Sequence, residues 1–265
     1  MNQTPILSLE HLTGGYRGEA VVKDFTLDLR RGELTAILGP NGCGKSTLLR
    51  LCARLMEPIS GEIRLEGRPV QTIPRRELAR MVSVLPQGRP VSAIPVESLV
   101  AHGRFPYLGW PRRMSRSDRE KVEEALILAG VAEYRHRSVA ELSGGQRQKV
   151  YFAMALAQDT PLVLLDEPAT YLDLGHQLEL MERISLLRSR GKTVIAVLHD
   201  LPQALEWAGR IVVMKDGRLA GEGSPEEVFR QGILDQVFGL TCRRLTVDGQ
   251  ERYFFTKGKR EGGSA

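Results

Sequence analysis

The chain has 265 residues, of which 42% are hydrophobic and 26% are charged, and its formal net charge at pH 7 is +5. This length predicts one or two domains with an ample core, and the composition is ordinary for a soluble protein. The charge is too mild to indicate nucleic-acid binding, although it suits a weak attraction to a nucleotide or an anionic membrane. The pairs Arg112-Arg113 and Arg243-Arg244 are isolated, and we expect them on solvated faces.

Cysteine content and hydropathy indicate the compartment. Cys43, Cys52 and Cys242 form neither a metal-ligand spacing nor a disulfide scaffold, which indicates a reducing environment. No apolar segment approaches the roughly 18–20 residues of a membrane span, and no signal-peptide core is visible near the N-terminus. We therefore expect a cytoplasmic chain with a frayed tail over residues 258–265.

The N-terminal region predicts antiparallel strands with one buried face. Phe25, Leu27 and Leu29 alternate with polar residues before a turn at Arg31-Gly32, and a similar alternation follows at residues 63–65.

A phosphate-binding loop is predicted next, at residues 39–47. These residues match the pattern G-x-x-x-x-G-K-[ST] in full, with an apolar run, 34–38, before them and a helix-like run, 47–55, after them. A chance glycine turn is the alternative, and the flanking strand and helix argue against it. The loop consists of Gly39, Pro40, Asn41, Gly42, Cys43, Gly44, Lys45, Ser46 and Thr47.

The chemistry of this loop suits a nucleotide triphosphate. Its glycines allow backbone N–H groups to face inward as an anion nest, and the helix N-terminus adds partial positive charge. We expect Lys45 to reach the β- and γ-phosphates and the Ser46 hydroxyl to ligate Mg²⁺.

Continuous apolar runs predict strands that are buried on both faces, as in a parallel sheet covered by helices. These runs are 34–38, 82–85, 162–165, 193–198 and 211–214. Polar residues follow four of them: the phosphate loop, Gln87, Asp166 with Glu167, and His199. Since ligands bind at the carboxyl ends of strands in open α/β sheets, the sequence predicts one site at this edge.

Between the second and third of these runs the pattern is helical. Residues 117–120 (Ser-Asp-Arg-Glu) predict a capping box, followed by one apolar helical face of Val122, Ala125, Leu126 and Ala129. Another amphipathic helix is predicted from about Gly175 to Arg190, with inward residues Leu178, Met181, Ile184 and Leu187.

Turn and cap signals complete the chain. Asp216-Gly217 and Asp248-Gly249 predict hairpin turns, and residues 224–227 (Ser-Pro-Glu-Glu) predict a helix start.

The predicted fold class is α/β, with a P-loop NTPase core and a mainly parallel sheet. The core and an antiparallel β subdomain occupy 1–87 and 159–222. An inserted helical subdomain occupies 88–158, and a C-terminal helix and β-hairpin extension occupies 223–257.

A second anion-binding candidate precedes a long helical run at Leu142-Ser143-Gly144-Gly145-Gln146. Its hydroxyl and N–H groups could face an anion, and a plain helix cap fits the same residues. With the phosphate loop before it and an acidic strand end after it, the sequence resembles the ATP-binding cassette (ABC) ATPases over nearly its whole length. This motif corresponds to the signature sequence of that family.

The resemblance assigns roles to the acidic strand end. Residues 162–168 match the Walker B motif, in which Asp166 holds Mg²⁺ and Glu167 polarises the attacking water. A merely structural acidic terminus is the alternative. Residues 171–173 match the D-loop, which places Asp173 at the nucleotide.

Further residues follow from the same resemblance. Gln87 matches the Q-loop, a sensor of Mg²⁺ and the γ-phosphate, so the implied metal-binding residues are Ser46, Gln87 and Asp166. His199 matches the switch histidine, and Tyr16 fits the aromatic residue that stacks on adenine. A structural histidine and a packing tyrosine remain as alternatives.

Partners are implied by the family alone. The signature of one cassette completes the nucleotide site of another, which implies a homodimer with ATP and Mg²⁺ at two sites. The resemblance also implies an integral-membrane permease as a separate chain and, indirectly, an extracytoplasmic substrate-binding protein. The chain would then lie peripherally on the cytoplasmic face of the inner membrane, and no nucleic-acid partner is expected.

A finer resemblance concerns the transported cargo. Residues 101–107, 171–177 and 198–201, together with Cys43, are similar to import ATPases for iron(III)-siderophore, haem and cobalamin, with the siderophore favoured. A soluble ABC protein of translation or DNA maintenance is the alternative class. Such proteins usually carry two cassettes or long coiled coils, and the sequence has no sustained heptads. A simple P-loop kinase would leave the signature and His199 unexplained.

Two local expectations complete the sequence analysis. The segment from Gln87 to about Tyr107 holds Pro90, Pro95 and Pro106, which stiffen a loop. We expect its Arg104, Phe105 and Tyr107 to be exposed and to form a docking cleft for a permease helix, with loop packing as the alternative. Basic surroundings are expected to lower the pKa of the Cys43 thiol.

Overall fold

A computed structural model describes residues 4–88, 91–170, 172–247 and 249–257. The chain divides into two units, one made of Met1–Gly67 with Ala196–Ala265 and the other of Arg68–Ile195. The finer division predicted from the sequence remains a prediction. Within the described residues, no helix combines the length and apolar character needed to cross a membrane.

The first unit contains strands from both ends of the chain. Its N-terminal elements are β1 (Leu7–Tyr16), β2 (Glu19–Leu29), β3 (Leu34–Leu38), α1 (Lys45–Cys52) and β4 (Ser60–Leu65). The second unit runs through β5 (Arg68–Pro69), α2 (Arg75–Met81), β6 (Val82–Leu85), α3 (Val96–Ala101), α4 (Arg116–Leu128), α5 (Gly144–Ala157), β7 (Leu162–Asp166) and α6 (Leu174–Ser189). Strand β8 (Thr193–Val197) contains the boundary between the units.

The remaining elements belong to the first unit. They are α7 (Leu201–Trp207), β9 (Arg210–Lys215), β10 (Arg218–Gly223), α8 (Pro225–Arg230), α9 (Ile233–Phe238), β11 (Leu240–Val247) and β12 (Gln250–Lys257). Helix α8 begins at the predicted cap, where the Ser224 side chain accepts from the Glu227 N–H. The β9–β10 hairpin turns at the predicted Asp216-Gly217. Strands β11 and β12 form a second hairpin, although the predicted turn residue Asp248 lies outside the described residues.

Strand pairing in the first unit follows the predicted patterns. Strand β1 pairs antiparallel with β2 and β4, with Leu9 opposite Leu27 on one side and Ile63 on the other. The alternating residues of β2, among them Phe25 and Leu27, are buried. Strand β3 is buried along its whole length and pairs parallel with β9, which directs the start of the phosphate loop toward the carboxyl edge of this pair.

The second unit contains the other parallel pair and most of the helices. Strand β6 pairs parallel with β7, with Leu85 opposite Leu165. Helix α5 lies against α3, α4 and β6. Phe152 of α5, Leu126 of α4 and Ile184 of α6 are all at most 1% exposed and belong to this core.

Two details of the predicted helices are wrong. The capping box of α4 uses Ser115 rather than Ser117, because the Asp118 carboxylate lies three residues beyond Ser115 and accepts from its N–H. In α6 the buried face contains Leu180, Met181, Ile184 and Leu187, whereas Leu178 is 43% exposed. Helix α6 begins after Asp173, one residue before the predicted start, and this sets the register of its buried face.

Candidate functional site

The phosphate loop has the backbone that the glycine pattern predicts. Gly39, Gly42 and Gly44 have φ angles of 157°, 79° and 104°, which other residues rarely adopt. A Cβ at Gly39 would overlap the Met214 carbonyl oxygen, so the close approach of the loop to β9 requires glycine there. The loop residues thus form a cradle directly after β3 and before α1.

Lys45 closes this loop with its own side chain. It is 5% exposed, and its Nζ donates to the carbonyl oxygens of Gly39 at 2.7 Å and Pro40 at 3.0 Å. The ammonium group is therefore held at the loop in which a polyphosphate would lie, where it can exchange carbonyl oxygens for phosphate oxygens.

The β9–β10 hairpin, which is distant in sequence, is hydrogen-bonded to the phosphate loop. The Gly217 N–H donates to the Cys43 carbonyl oxygen at 3.1 Å, and the Lys23 N–H donates to the Gly217 carbonyl oxygen at 2.8 Å. Gly217 has a φ angle of 82°, and a Cβ there would overlap the Val21 carbonyl oxygen. The β9–β10 turn therefore joins the loop to β2 in a way that only glycine permits.

Cys43 lies in the loop with a buried side chain, only 6% exposed. Burial raises the pKa of its thiol, and the nearby Lys45 charge lowers it by less. The expected lowering of this pKa by basic surroundings is therefore wrong, because loss of hydration outweighs the charge.

Tyr16 lies at the end of β1 and is 44% exposed, as a residue that stacks on a base must be. Arg50 of α1 donates from Nη1 to the Tyr16 hydroxyl at 2.6 Å. No sequence pattern marks this arginine, which connects the tyrosine to the helix that follows the phosphate loop. The stacking of Tyr16 on adenine remains a prediction, with a packing role as the alternative.

His199 lies in the first unit, near the carboxyl end of β3. The N–H of the preceding Leu198 donates to the Ile37 carbonyl oxygen of β3 at 3.2 Å. His199 is exposed, and the next residue, Asp200, caps α7 by accepting from the Gln203 N–H. The structure thus brings His199 to the strand end from which the phosphate loop starts.

In the second unit, the predicted polar strand ends are neighbours. Gln87 lies just beyond β6. Asp166 is the last residue of β7, the parallel partner of β6, and Glu167 follows it. Asp166 is 3% exposed, and Gln87 is exposed. Glu167 has a φ angle of 51°, and its Oε2 accepts from the Thr170 hydroxyl at 3.2 Å. This unusual backbone holds the carboxylate beyond the strand end, where a functional role is a reasonable inference.

Gln148 of α5 supports this acidic turn and was not found from the sequence. Its Nε2 donates to the Pro168 carbonyl oxygen at 2.5 Å and lies 3.3 Å from the Glu167 carbonyl oxygen. The residue is 5% exposed. Because its position on α5 has no distinct sequence pattern, only the fold identifies the contact.

The signature residues form the start of α5. The Ser143 hydroxyl accepts from the Gln146 N–H at 3.2 Å, and the Gln146 side chain accepts from the Ser143 N–H at 2.9 Å. This capping box confirms the cap interpretation, while Ser143 and Gly144 remain exposed. An anion could therefore approach the backbone of this helix start from solvent.

A cleft of about 650 Å³ is lined by residues of both the signature and the predicted D-loop. Its lining includes Ser143, Gly144, Gly145, Gln146, Lys149 and Asp173. Asp173 caps α6 and accepts from the backbone N–H of His176 at 2.9 Å, and its other oxygen lies 2.8 Å from His176 Nδ1. These hydrogen bonds lower the pKa of Asp173. The predicted neighbour Tyr171 lies outside the described residues.

The donors predicted for Mg²⁺ agree with its chemistry. The Ser46 hydroxyl, the Asp166 carboxylate and the Gln87 amide all supply oxygen, which this hard cation prefers. No cluster of three or more His, Cys, Asp or Glu side chains suited to a metal is found in the part of the chain that the structure describes. Mg²⁺ in nucleotide sites is held partly by phosphate and water, and these three residues remain its predicted ligands.

Comparisons with known proteins agree with this geometry. Residues 22–170 match the family model for the ABC transporter. The chain is 42% identical over 239 residues to the probable siderophore transport system ATP-binding protein YusV of Bacillus subtilis, which covers 89% of this chain and 87% of that protein. It is also 42% identical over 231 residues to the hemin import ATP-binding protein HmuV of Streptomyces coelicolor, covering 85% and 81% of the two chains.

A solved structure supports the fold. The dimeric ATP-binding cassette MJ0796, in a post-hydrolysis state bound to ADP and Pi, matches with a TM-score of 0.73 and 28% identity. The match covers 83% of this chain and 98% of that one. The predicted α/β fold class with a P-loop NTPase core is thus confirmed. The chain belongs to the ABC transporter family, as an ATPase of the kind that couples ATP hydrolysis to transport.

Proposed function

We propose that this chain is the ATP-hydrolysing subunit of a membrane importer for a metal chelate, with an iron(III)-siderophore as the cargo. One observation carries the proposal: the phosphate loop and the signature occur in a chain that is 42% identical to a siderophore transport ATP-binding protein over 89% of its length. A haem importer is the second candidate, since the hemin import relative has the same identity.

In this proposal the phosphate loop and Lys45 bind the polyphosphate of ATP while Tyr16 stacks on the adenine. Backbone N–H groups of the loop would neutralise phosphate charge, on a backbone whose positive φ angles are set by Gly39, Gly42 and Gly44. Stacking on the exposed Tyr16 ring contributes roughly 1–3 kcal/mol. Mg²⁺, when bound, would neutralise charge on the phosphates, and Ser46, Asp166 and Gln87 would hold it directly or through water.

Hydrolysis is assigned to the turn after β7. Glu167 orients and polarises a water for attack on the γ-phosphate. Its carboxylate is held by the Thr170 hydroxyl, and its backbone is held by Gln148, so its position is fixed before nucleotide binds. His199 and Gln87 are each proposed to respond to the γ-phosphate.

The subunit is proposed to act as a homodimer with a permease. The exposed signature cleft would receive the nucleotide bound by a second copy, which the dimeric form of the solved relative supports. A permease in a separate chain would transmit the movement of the dimer to the cargo, with a substrate-binding protein delivering that cargo. The chain would thus lie peripherally on the cytoplasmic face of the inner membrane.

The test is uptake in a strain that lacks this chain. Labelled iron(III)-siderophore, haem and cobalamin are supplied in turn, and the strain is complemented with the normal chain or with Lys45→Ala. We expect loss of siderophore uptake that only the normal chain restores. Loss confined to haem or cobalamin would reassign the cargo, and normal uptake of all three would contradict metal-chelate import.

A further inference from the structure

One part of the second unit carries an exposed aromatic and basic surface that nucleotide chemistry does not use. Trp110 is 94% exposed, and its neighbours Gly109, Pro111, Arg112 and Arg113 are also exposed. The segment is anchored by the buried Leu108, which is 9% exposed. The indole of Trp110 is therefore almost wholly in contact with solvent, on a segment that is neither helix nor strand.

Helix α2 extends this surface with further arginines. Arg76 donates from Nε to the Pro106 carbonyl oxygen at 2.9 Å and from Nη2 to that of Leu108 at 2.6 Å. Arg80 donates to the same Pro106 oxygen at 2.9 Å. The guanidinium of Arg112 lies 5.5 Å from the centre of the Phe105 ring. The contacts of Arg76 and Arg80 fix the segment of Pro106 and Leu108 against α2, and the side chain of Arg112 lies beside Phe105 in the same segment.

The positive charge of this surface is not balanced. We name the group Arg75, Arg76, Arg80, Trp110, Arg112 and Arg113 the arginine–tryptophan patch. None of its five arginines forms an ion pair with any of the described residues. The nearby acids already pair with other arginines: Glu77 with Arg68, Asp118 with Arg104 and Glu120 with Arg116.

We propose that the arginine–tryptophan patch binds the anionic phospholipid surface of the membrane. Tryptophan is favoured at the headgroup level, where its ring is apolar and its N–H is hydrated. Unpaired arginines are attracted to anionic headgroups. A protein partner would be expected to hold a tryptophan in a packed pocket, whereas a lipid surface accepts one that is exposed on an irregular segment. The proposal goes beyond import and is independent of the cargo.

Binding to vesicles tests this proposal on the full chain. The chain has two tryptophans, and Trp207 has a buried Nε1 without a hydrogen-bond partner in the described structure, so Trp207→Phe is a mild change that leaves Trp110 as the reporter. Vesicles of phosphatidylcholine alone are compared with vesicles of equal parts phosphatidylcholine and phosphatidylglycerol. We expect co-sedimentation and a blue shift of Trp110 emission only with the anionic vesicles, and weaker binding in high salt.

Charge variants separate the patch from general basicity. Each arginine near an anionic surface contributes about fivefold in binding, so R112Q with R113Q should weaken vesicle binding about 25-fold. The matched control, R188Q with R243Q, removes the same charge from exposed arginines elsewhere and should change binding little. Basal ATPase activity should be unchanged in both, which also shows that both variants fold.

The proposal is overturned by any of three results. One is the absence of binding to anionic vesicles, and another is equal loss of binding in the control variant. The third is a shift of Trp110 emission that requires purified permease in detergent and never occurs with lipid alone, because the occupant would then be a protein surface. A different cargo in the uptake assay would leave the vesicle result untouched, so the two proposals fail separately.

Discussion

Glu167, the residue that we propose for hydrolysis, has a φ angle of 51° and is held by hydrogen bonds from Thr170 and Gln148. Replacement of its carboxylate by an amide in Glu167→Gln should retain ATP binding, since the phosphate loop is unchanged. Hydrolysis should fall roughly 10²–10⁴-fold, because the amide cannot accept a proton from the water. Both expectations are checked by measuring the turnover rate and the ATP affinity of the purified subunit. Glu97→Gln, an exposed glutamate of α3, serves as the control and should leave both unchanged. Near-normal turnover of Glu167→Gln would remove this residue from the role.

The cysteines give a probe of the phosphate loop. Burial raises the pKa of the Cys43 thiol and raises that of Cys242 to about 11, so both hold little thiolate at neutral pH. Labelling with a maleimide should be slow at pH 7 and should accelerate as the pH rises. Mg-ATP should slow labelling of Cys43 much more than that of Cys242, which peptide mass spectrometry can follow. Equal protection of both would mean that nucleotide binds elsewhere or acts through global stability.

At the scale of elements, the start of α4 depends on a buried ion pair. Arg104 donates from Nε to Asp118 at 3.0 Å and from Nη1 to the Ala157 carbonyl oxygen at 2.8 Å. Burial raises the pKa of Asp118, but hydrogen bonds from Ser115 and the Arg104 charge outweigh it, so this pKa is lowered. The stabilisation is therefore fully present above the unfolded-state pKa and is lost as the pH falls through the lower, folded-state pKa.

Substitutions of Ser115 and Ser117 distinguish the observed cap of α4 from the one expected from the sequence. Ser115→Ala should lower the free energy of unfolding by about 1 kcal/mol, because Ser115 caps the helix. Ser117→Ala should change it by less than about 0.5 kcal/mol, since the residue is exposed. Asp118→Ala should cost about 3–5 kcal/mol, because it leaves the charge of Arg104 buried. Urea denaturation measures all three, and equal effects of the two serine changes would contradict the cap assignment.

The expected docking segment is partly revised by its contacts. Arg104 is 6% exposed and supports the fold, so the expectation that it is exposed is wrong. Its guanidinium lies 3.8 Å from the centre of the half-buried Tyr107 ring. Phe105, at 45% exposed, keeps its predicted docking role, and Pro90 lies outside the described residues.

Phe105→Ala isolates this docking role. It should spare the ATP affinity and basal ATPase activity of the isolated subunit while lowering permease-stimulated hydrolysis and transport severalfold, since an aromatic anchor is lost. Tyr107→Ala is a less clean test, because that ring is packed between Arg80 and Arg104. If the isolated Phe105→Ala subunit lost activity in parallel with transport, the residue would serve folding or nucleotide geometry.

The elements show where sequence reasoning succeeds. The buried strands β3 and β6 lie where continuous apolar runs predict them, because both faces of each strand must avoid water. The backbone of the phosphate loop is also predictable, because its positive φ angles require glycine at specific positions. By contrast, the contacts of Gln148 and Arg104 join residues far apart in sequence and leave no periodic signal. Ser115 and Ser117 each have an acid three residues later, and only the structure shows that Asp118 accepts from the Ser115 N–H while Glu120 accepts from Arg116.

At the scale of the whole molecule, the proposed dimer makes a separate prediction. In the Glu167→Gln background, ATP should convert monomers to dimers, since hydrolysis no longer releases the partner. Adding Ser143→Arg should block dimerisation while ATP affinity remains, because a long cation would fill the exposed helix start in the signature cleft. Sedimentation velocity measures this. Ser189→Arg, on an exposed residue at the end of α6, is the matched control, and a dimer that survives Ser143→Arg would exclude the signature from the interface.

The support of the phosphate loop by Gly217 has a consequence for biosynthesis. The loop leaves the ribosome early, but its parallel partner β9 and the Gly217 N–H that holds the Cys43 carbonyl group are translated much later. A nascent chain that ends before this turn contains every residue of the nucleotide loop and lacks the support that gives the loop its shape. We therefore expect the loop to acquire its nucleotide-binding shape only after residue 217 has been translated, so that a chain truncated before this turn should bind ATP weakly.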